Sequence, residues 1–461
     1  MTGKLALPAK TAVLKKLFKS PLWLQQWRLI AVLLLSAFML HPSAKAEFES
    51  VFERGTLHVI GVAGPTTFLP HGAEGMRGLQ YELLRKFAEE LNLKLEITQA
   101  ANAESVIRAL RSGKADIGIT GLANHDPRLT AFANSQPYQE LSQQLIKHHQ
   151  QNTSVLEARI AVNAHSAEAQ TFENLALDNN LVQIRHASPD ELLTEVNTGE
   201  VDYVVMNEAE FAARRAAFPH LKSKTTLNTV QLSWTIRPEN KQLLDFANHF
   251  LQSSQQDGTL TRLTAFYGQG ETFNPIGVKT FQRDMQQRLP LYQEQFKSHA
   301  DKYAMDWRLL AAIGYQESKW DADAVSPTGV TGLMMLTKGT AKDMGIENRD
   351  NPYQSIQAGA RYYQLMTEKL PDTVREPDRT WMALAAYNMG YGHVLKARKI
   401  TQKMGDDPNK WLDVSRHLRQ LPRSGQALVY VQEVRRYYDA LLLTTKENWV
   451  ASVDKKRWIV Q

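Results

Sequence analysis

A single glutamate ends an apolar helical run in YQESKW, Tyr315–Trp320. Within DWRLLAAIGYQESKW, Leu309, Ile313 and Glu317 recur every fourth residue, so one helix face carries all three. A carboxyl held among apolar groups resists ionisation, and its pKa rises toward the range where a glutamic acid donates a proton near neutral pH. For an isolated glutamate the commoner situation is a helix end turned to solvent, or paired with Lys319 or Lys338. Asp321 and Asp323, in DADAV, are the other carboxylates nearby. Either one, reaching a bound substrate opposite Glu317, could activate water; alternation in a short polar stretch favours exposed turn positions. His148-His149 has no carboxylate partners at ligand spacing and reads as part of an exposed linker, so no metal site and no cofactor is expected.

Composition bounds the alternatives. The chain has 461 residues, 43% hydrophobic and 22% charged, with net charge +6. That length supports two or three domains with full cores. No glycine-rich phosphate loop or basic-aromatic stripe points to nucleotide or nucleic acid. The absence of cysteine excludes disulfides, thiolate nucleophiles, cysteine-based zinc sites and a lipid-bearing cysteine. Residues 1–46 read as a signal peptide. Lys4, Lys10, Lys15, Lys16, Lys19 and Arg28 precede the apolar LIAVLLLSAFML, and Ala44-Lys45-Ala46 is a small-x-small cleavage pattern. Leu22, Trp23 and Leu24 leave an uncleaved anchor open; in both cases the body is exported.

Residues 47–270 follow a strand-helix rhythm. TLHVIGVAG alternates as a strand, GLQYELLRKFAEELNL carries helical spacing, KLEIT and ADIGIT are strands, and AESVIRALRSG is a helix stopped by Gly113. A second α/β block follows KHHQQNTS, with EARIAVN and VDYVVMN as strands. After the boundary stretch GQGETFNPIG, residues 271–461 are a succession of helical runs.

The motifs in residues 47–270, with DPRLTAFANSQPY among them, resemble the periplasmic amino-acid-binding proteins, an α/β two-lobed Venus-flytrap fold. The resemblance implies that Arg128, ten residues before Tyr138, clamps a ligand carboxylate; standing alone it would read as a surface arginine. It also implies that Asn207 sits where the family has an amine-binding aspartate, and Ala123 where it usually has threonine. An amide pairs less well with ammonium, which argues against a free α-amino acid as ligand.

Residues 271–461 resemble the lytic murein transglycosylases, a mainly α lysozyme-like domain. The signatures run in order: Glu317-Ser318 followed by Ser326-Pro327, then Gly332-Leu333-Met334, Ala386-Tyr387-Asn388 and a late aromatic, Tyr430. Met335 stands where many members have glutamine, and MMLT is similar to the membrane-bound F subgroup. The resemblance implies Glu317 as catalytic acid and base. It implies Ser318, Ser326, Gly332, Met334, Tyr387, Asn388 and Tyr430 as substrate contacts, with peptidoglycan glycan strands as substrate. Ser318 could instead cap its helix, and Met334 could belong to the core. The expected reaction cleaves between N-acetylmuramic acid and N-acetylglucosamine and leaves a 1,6-anhydro end. Competing readings are a lysozyme-like hydrolase and a non-catalytic cell-wall-fragment sensor. Further expectations are a muropeptide or cell-wall peptide in the front domain, and peripheral attachment at the periplasmic side of the outer membrane.

Overall fold

A computed structural model describes residues 51–71, 75–169, 172, 182–215, 217–268, 275–421, 424–445 and 457–460. The signal-peptide expectation for residues 1–46 lies outside them, as does most of the stretch between the two halves. Among the described residues no helix is long and apolar enough to cross a membrane.

The front half is two α/β lobes. In the first, Thr56–Val62 pairs in parallel with Lys94–Ala100 on one side and Ile117–Ile119 on the other. Leu57, Val59, Ile97, Ile117 and Ile119 are buried there, as strands covered on both faces require. The helix Leu79–Glu90 packs over this sheet with Leu79, Leu83, Leu84 and Phe87 buried, the residues whose spacing predicted it. The second lobe has five strands in the order Leu221–Leu232, Gln139–His148, Tyr203–Asn207, Ile160–Asn163, Val182–Arg185. The last three are parallel, and Gln139–His148 runs antiparallel to both its neighbours. Where the chain crosses between lobes, Tyr138 donates its amide to the Leu232 carbonyl and Ser135 exchanges bonds with Trp234.

The back half is helical around one large core that includes Leu310, Ile313, Trp320, Met334, Trp381 and Val434. The run VKTFQRDMQQRLPLYQEQFKSHADKY, whose pattern reads as one helical stretch, is two helices, Pro275–Gln287 and Leu289–Asp301. Pro290 explains the break: it has no amide proton for an internal helix bond and fits the first turn of a new helix.

The two halves share a charged, buried seam. The first-lobe residue Arg77 pairs with Asp439, which also takes Arg435. Arg85 bridges its own helix neighbour Glu82 to Asp378 of the helical half, 2.8 Å away. His71 Nε2 lies 2.9 Å from the Thr380 hydroxyl and 3.1 Å from Glu376. Such pairs contribute little net stability compared with apolar packing, yet removing one partner strands a buried charge at roughly 3–5 kcal/mol. They favour one docking geometry. The chain end adds a second tie: Arg457–Val460 joins the first-lobe sheet, antiparallel to Lys94–Ala100. Helical periodicity assigned the whole of 271–461 to the back domain; this last strand instead pairs with the front one, because an open sheet edge offers unpaired backbone groups to any extended segment that reaches it.

Candidate active site

Glu317 lies in the last turn of Trp307–Ser318. Asp306 caps the helix start by accepting the Arg308 amide at 3.0 Å. The helix stops one residue past the site, where Lys319 and Trp320 both take positive φ, 59° and 54°. For non-glycine residues this costs on the order of 1 kcal/mol or more each. The compensation is visible. Trp320 is 1% exposed and donates its indole proton to the Ala311 carbonyl at 2.8 Å. The Lys319 ammonium sits 4.6 Å and 4.8 Å from the ring centres of Tyr315 and Tyr437. Lys319 is thereby held on the aromatic cluster, so the ordinary Glu317–Lys319 pair is not formed.

The Glu317 side chain is half-buried. Burial pushes its pKa up to about 7, against opposing pulls from a Tyr430 hydrogen bond and the more distant Lys319 charge. The Tyr430 hydroxyl donates to Glu317 Oε1 at 2.6 Å. Burial, with the Glu317 charge adding to it, keeps the Tyr430 and Tyr387 phenols protonated. A carboxyl with a pKa near 7 and one strong donor can give up a proton, be stabilised as the anion, and take a proton back.

The remaining signature residues divide into those near Glu317 and those that shape the loop. Tyr387 is buried, packs at a tilt against Tyr362 with ring centres 5.0 Å apart, and donates to the Met334 carbonyl at 3.3 Å. The Met334 side chain is fully buried and packs against Gly314 and Gly359. The side chain expected at the substrate thus lies in the core, while its backbone amide is held by Ser355 at 3.0 Å. Ser318 is buried and bonds back to the Gly314 carbonyl, the i−4 pattern rather than a cap. Ser326 closes the SPTG turn by accepting the Val330 amide at 2.9 Å and contacting Thr328. Gly332 has φ 92° and faces the Arg349 carbonyl so closely that no side chain fits. Asn388 is exposed at the end of Asp378–Met389. Asp321 is bound by Arg288 at 2.9 Å and Asp323 is exposed. Neither is hydrogen-bonded to Glu317.

In the front half Arg128 does lie between the lobes, but its fork is filled. Nε and Nη2 bind both oxygens of buried Asp126 at 2.9 Å and 2.7 Å, and Nη1 and Nη2 reach the Ala164 and Ser166 carbonyls of the second lobe. Sequence reading gave Asp126 no role, since an aspartate ahead of Pro127 carries no signal beyond local capping, which it also performs. Asn207 caps the helix Glu208–Arg214 by accepting the Glu210 amide at 3.0 Å. It also stands beside Glu168, a buried carboxyl whose pKa is raised by burial. Glu168 gave no sequence signal, since it sits in an ordinary polar stretch. His148 and His149 are likewise not in a linker: His148 ends a strand, and His220 joins them.

Comparison with known proteins agrees with this division. Residues 58–270 match the family of bacterial extracellular solute-binding proteins, family 3, and residues 294–410 match the transglycosylase SLT domain. The chain is 39% identical over 438 residues to the membrane-bound lytic murein transglycosylase F of Alcanivorax borkumensis, covering 90% of this chain and 93% of that protein. It is 37% identical over 439 residues to the protein of the same name from Pseudomonas putida, covering 90% of each. Among solved structures, an ancestral arginine-binding protein bound to arginine aligns with 47% of this chain and 99% of its own, at 25% identity and TM-score 0.41. Holo ArgBP from T. maritima aligns with 45% of this chain and 93% of its own, at 23% identity and TM-score 0.40.

Proposed function

The chain belongs to the membrane-bound lytic murein transglycosylase F family, and from that premise we propose that Glu317 alone carries both proton transfers of its murein-degrading reaction. The observation that supports this is a half-buried carboxyl with a pKa of about 7, held 2.6 Å from the Tyr430 hydroxyl, with no second carboxylate bonded to it. Protonated Glu317 gives its proton to the glycosidic oxygen between N-acetylmuramic acid and N-acetylglucosamine, and that C–O bond breaks. The Tyr430 hydrogen bond stabilises the carboxylate left behind. Glu317 then takes the proton of the muramyl 6-hydroxyl as that oxygen bonds to the anomeric carbon. The carboxyl is regenerated and water is not consumed. A hydrolysing glycosidase usually uses a second carboxylate for water or for covalent attack; holding the 6-hydroxyl in place substitutes for it. Tyr387 lines the same site, while Ser318, Ser326 and Gly332 hold its backbone in shape.

Digestion of purified sacculi across pH tests the reading. Mass analysis is expected to find 1,6-anhydromuramyl ends, and reducing ends would instead establish the hydrolase. Because Glu317 must start protonated, kcat/KM should fall as pH rises through about 7. Tyr430→Phe should lower the rate and move that limb upward, since the tyrosine's bond favours the anion.

The front domain, in this reading, binds a muropeptide or cell-wall peptide and tunes catalysis. The second-lobe helix capped by Asn207 packs against Ser424–Thr444, the helix carrying Tyr430. Glu168 restores, beside Asn207, a carboxyl able to take an amine. A peptide carboxylate competing with Asp126 for Arg128 would loosen the bonds from Arg128 to the second lobe. The expected result is that muropeptide changes the lytic rate of the intact chain and that Glu168→Gln abolishes the response; an unchanged response in that variant removes the proposed link. The intact chain is the right material, because isolating the helical half leaves Asp439 without Arg77 and Asp378 without Arg85. The relatives carry "membrane-bound" in their names; export by residues 1–46 and peripheral attachment at the periplasmic side of the outer membrane complete the proposal.

A further inference from the structure

We propose that His148, His149 and His220 form a site for one divalent transition-metal ion on the second lobe. The sequence separates them by about seventy positions, and strand pairing brings them together. His148 is the last residue of Gln139–His148 and is in register with Leu221, the first of Leu221–Leu232. The His149 amide then donates to the His220 carbonyl at 2.8 Å. The three rings converge, with centroids 4.5 Å, 5.9 Å and 5.5 Å apart. One nitrogen from each falls within 4.8 Å of the others, so a small closure brings them to the spacing that bonds of ~2.0–2.1 Å to one ion demand.

A second observation, independent of proximity, points to a ligand. His149 Nδ1 lies 3.1 Å from the His220 carbonyl. Donating its proton there fixes the tautomer and leaves the Nε2 lone pair free, the arrangement that orients metal-binding histidines. The segment after the histidines is also firmly built. The Gln151 side-chain oxygen accepts the Asn152 and Thr153 amides and the Thr153 hydroxyl, and its amide reaches Asp202. Lys147 binds the Gln151 carbonyl. The adjustment required on loading is the long 3.3 Å contact from the Gln150 amide to His148 Nδ1.

Three imidazoles and no carboxylate select a borderline ion such as zinc, nickel or copper(II) over magnesium or calcium, and exposure leaves a fourth position to water. The location separates this site from the interlobe cleft. Asn207 pairs with Gln143 and Val204 with Ile146, so the histidines lie beyond the opposite end of the Tyr203–Asn207 strand. An ion there would clip the ends of the two long strands and stabilise the second lobe by mass action.

The test uses the full chain without a polyhistidine tag, stripped with chelator and titrated with zinc chloride. The expected result is one equivalent bound and a raised melting temperature, with excess magnesium unable to compete. His149→Asn and His220→Asn, both at exposed positions, should each weaken binding by ~10-fold or more and abolish the thermal shift. Lytic activity without added metal should be unchanged in both. Absence of saturable one-to-one binding, or affinity that survives either substitution, overturns the three-histidine site.

Discussion

Glu317→Gln should lower the release of anhydromuramyl ends by ~10²–10⁴-fold while the protein remains folded. Glutamine keeps the shape and can still meet the Tyr430 hydroxyl, so the loss isolates proton transfer. The same change should make the protein more stable. In the parent, the folded pKa of about 7 lies above the ordinary 4.5, so the native state holds its proton more tightly than the unfolded chain does. Stability therefore falls as pH rises from 4.5 to 7, and the full penalty is present above 7. Removing the ionisable group should recover ~2 kcal/mol at pH 8, after allowance for partial solvent screening, and nothing near pH 4. Thermal unfolding at the two pH values reads this directly. Asp323→Asn serves as the control and should retain the rate, because that side chain is exposed. A Glu317→Gln protein as active as the parent would return the chain to the sensor reading.

Gly332→Ala is expected to cost ~3 kcal/mol or more, measured by denaturant unfolding. Two effects add. The residue has φ 92°, where a side chain is strained. A Cβ there would also collide with the Arg349 carbonyl, with the Ser355 hydroxyl 3.3 Å away. Neither backbone nor the buried Ser355 yields easily, and Ser355 holds the Met334 amide. Displacing it moves the Met334 carbonyl that anchors Tyr387, so activity should fall with stability. Gly329→Ala separates the two effects. It shares a positive φ of 76° but meets nothing within 4 Å, so it should cost only ~1 kcal/mol. Equal losses at both positions would mean that conformation alone, not the collision, sets the cost.

The helix stripe Leu309-Ile313-Glu317 was readable directly, because a 3.6-residue period states which face a helix buries and therefore what surrounds its last acid. The strand-helix rhythm of the front half and the change of character near residue 270 were legible for the same reason: periodicity is local. The ordered motifs from Glu317 to Tyr430 offered candidate residues but not their surroundings. Met334 belongs to the core, Ser318 to its own helix and Asn388 to the surface, since neighbours far along the chain decide each of these.

The sequence by itself determined the two-part organisation, the exclusion of thiol chemistry and the acid whose burial raises its pKa. Tertiary structure alone decided that Tyr430, 113 positions away, donates to that acid. It also decided that Asp126 occupies the Arg128 fork, that Glu168 stands beside Asn207 and that His220 completes a cluster. The front lobe's docking through Arg77, Arg85 and His71 was equally invisible beforehand. The reason is physical: apolar burial follows a short-range pattern written into spacing, whereas a hydrogen bond or ion pair requires two particular atoms within about 3 Å, and chain topology sets that distance.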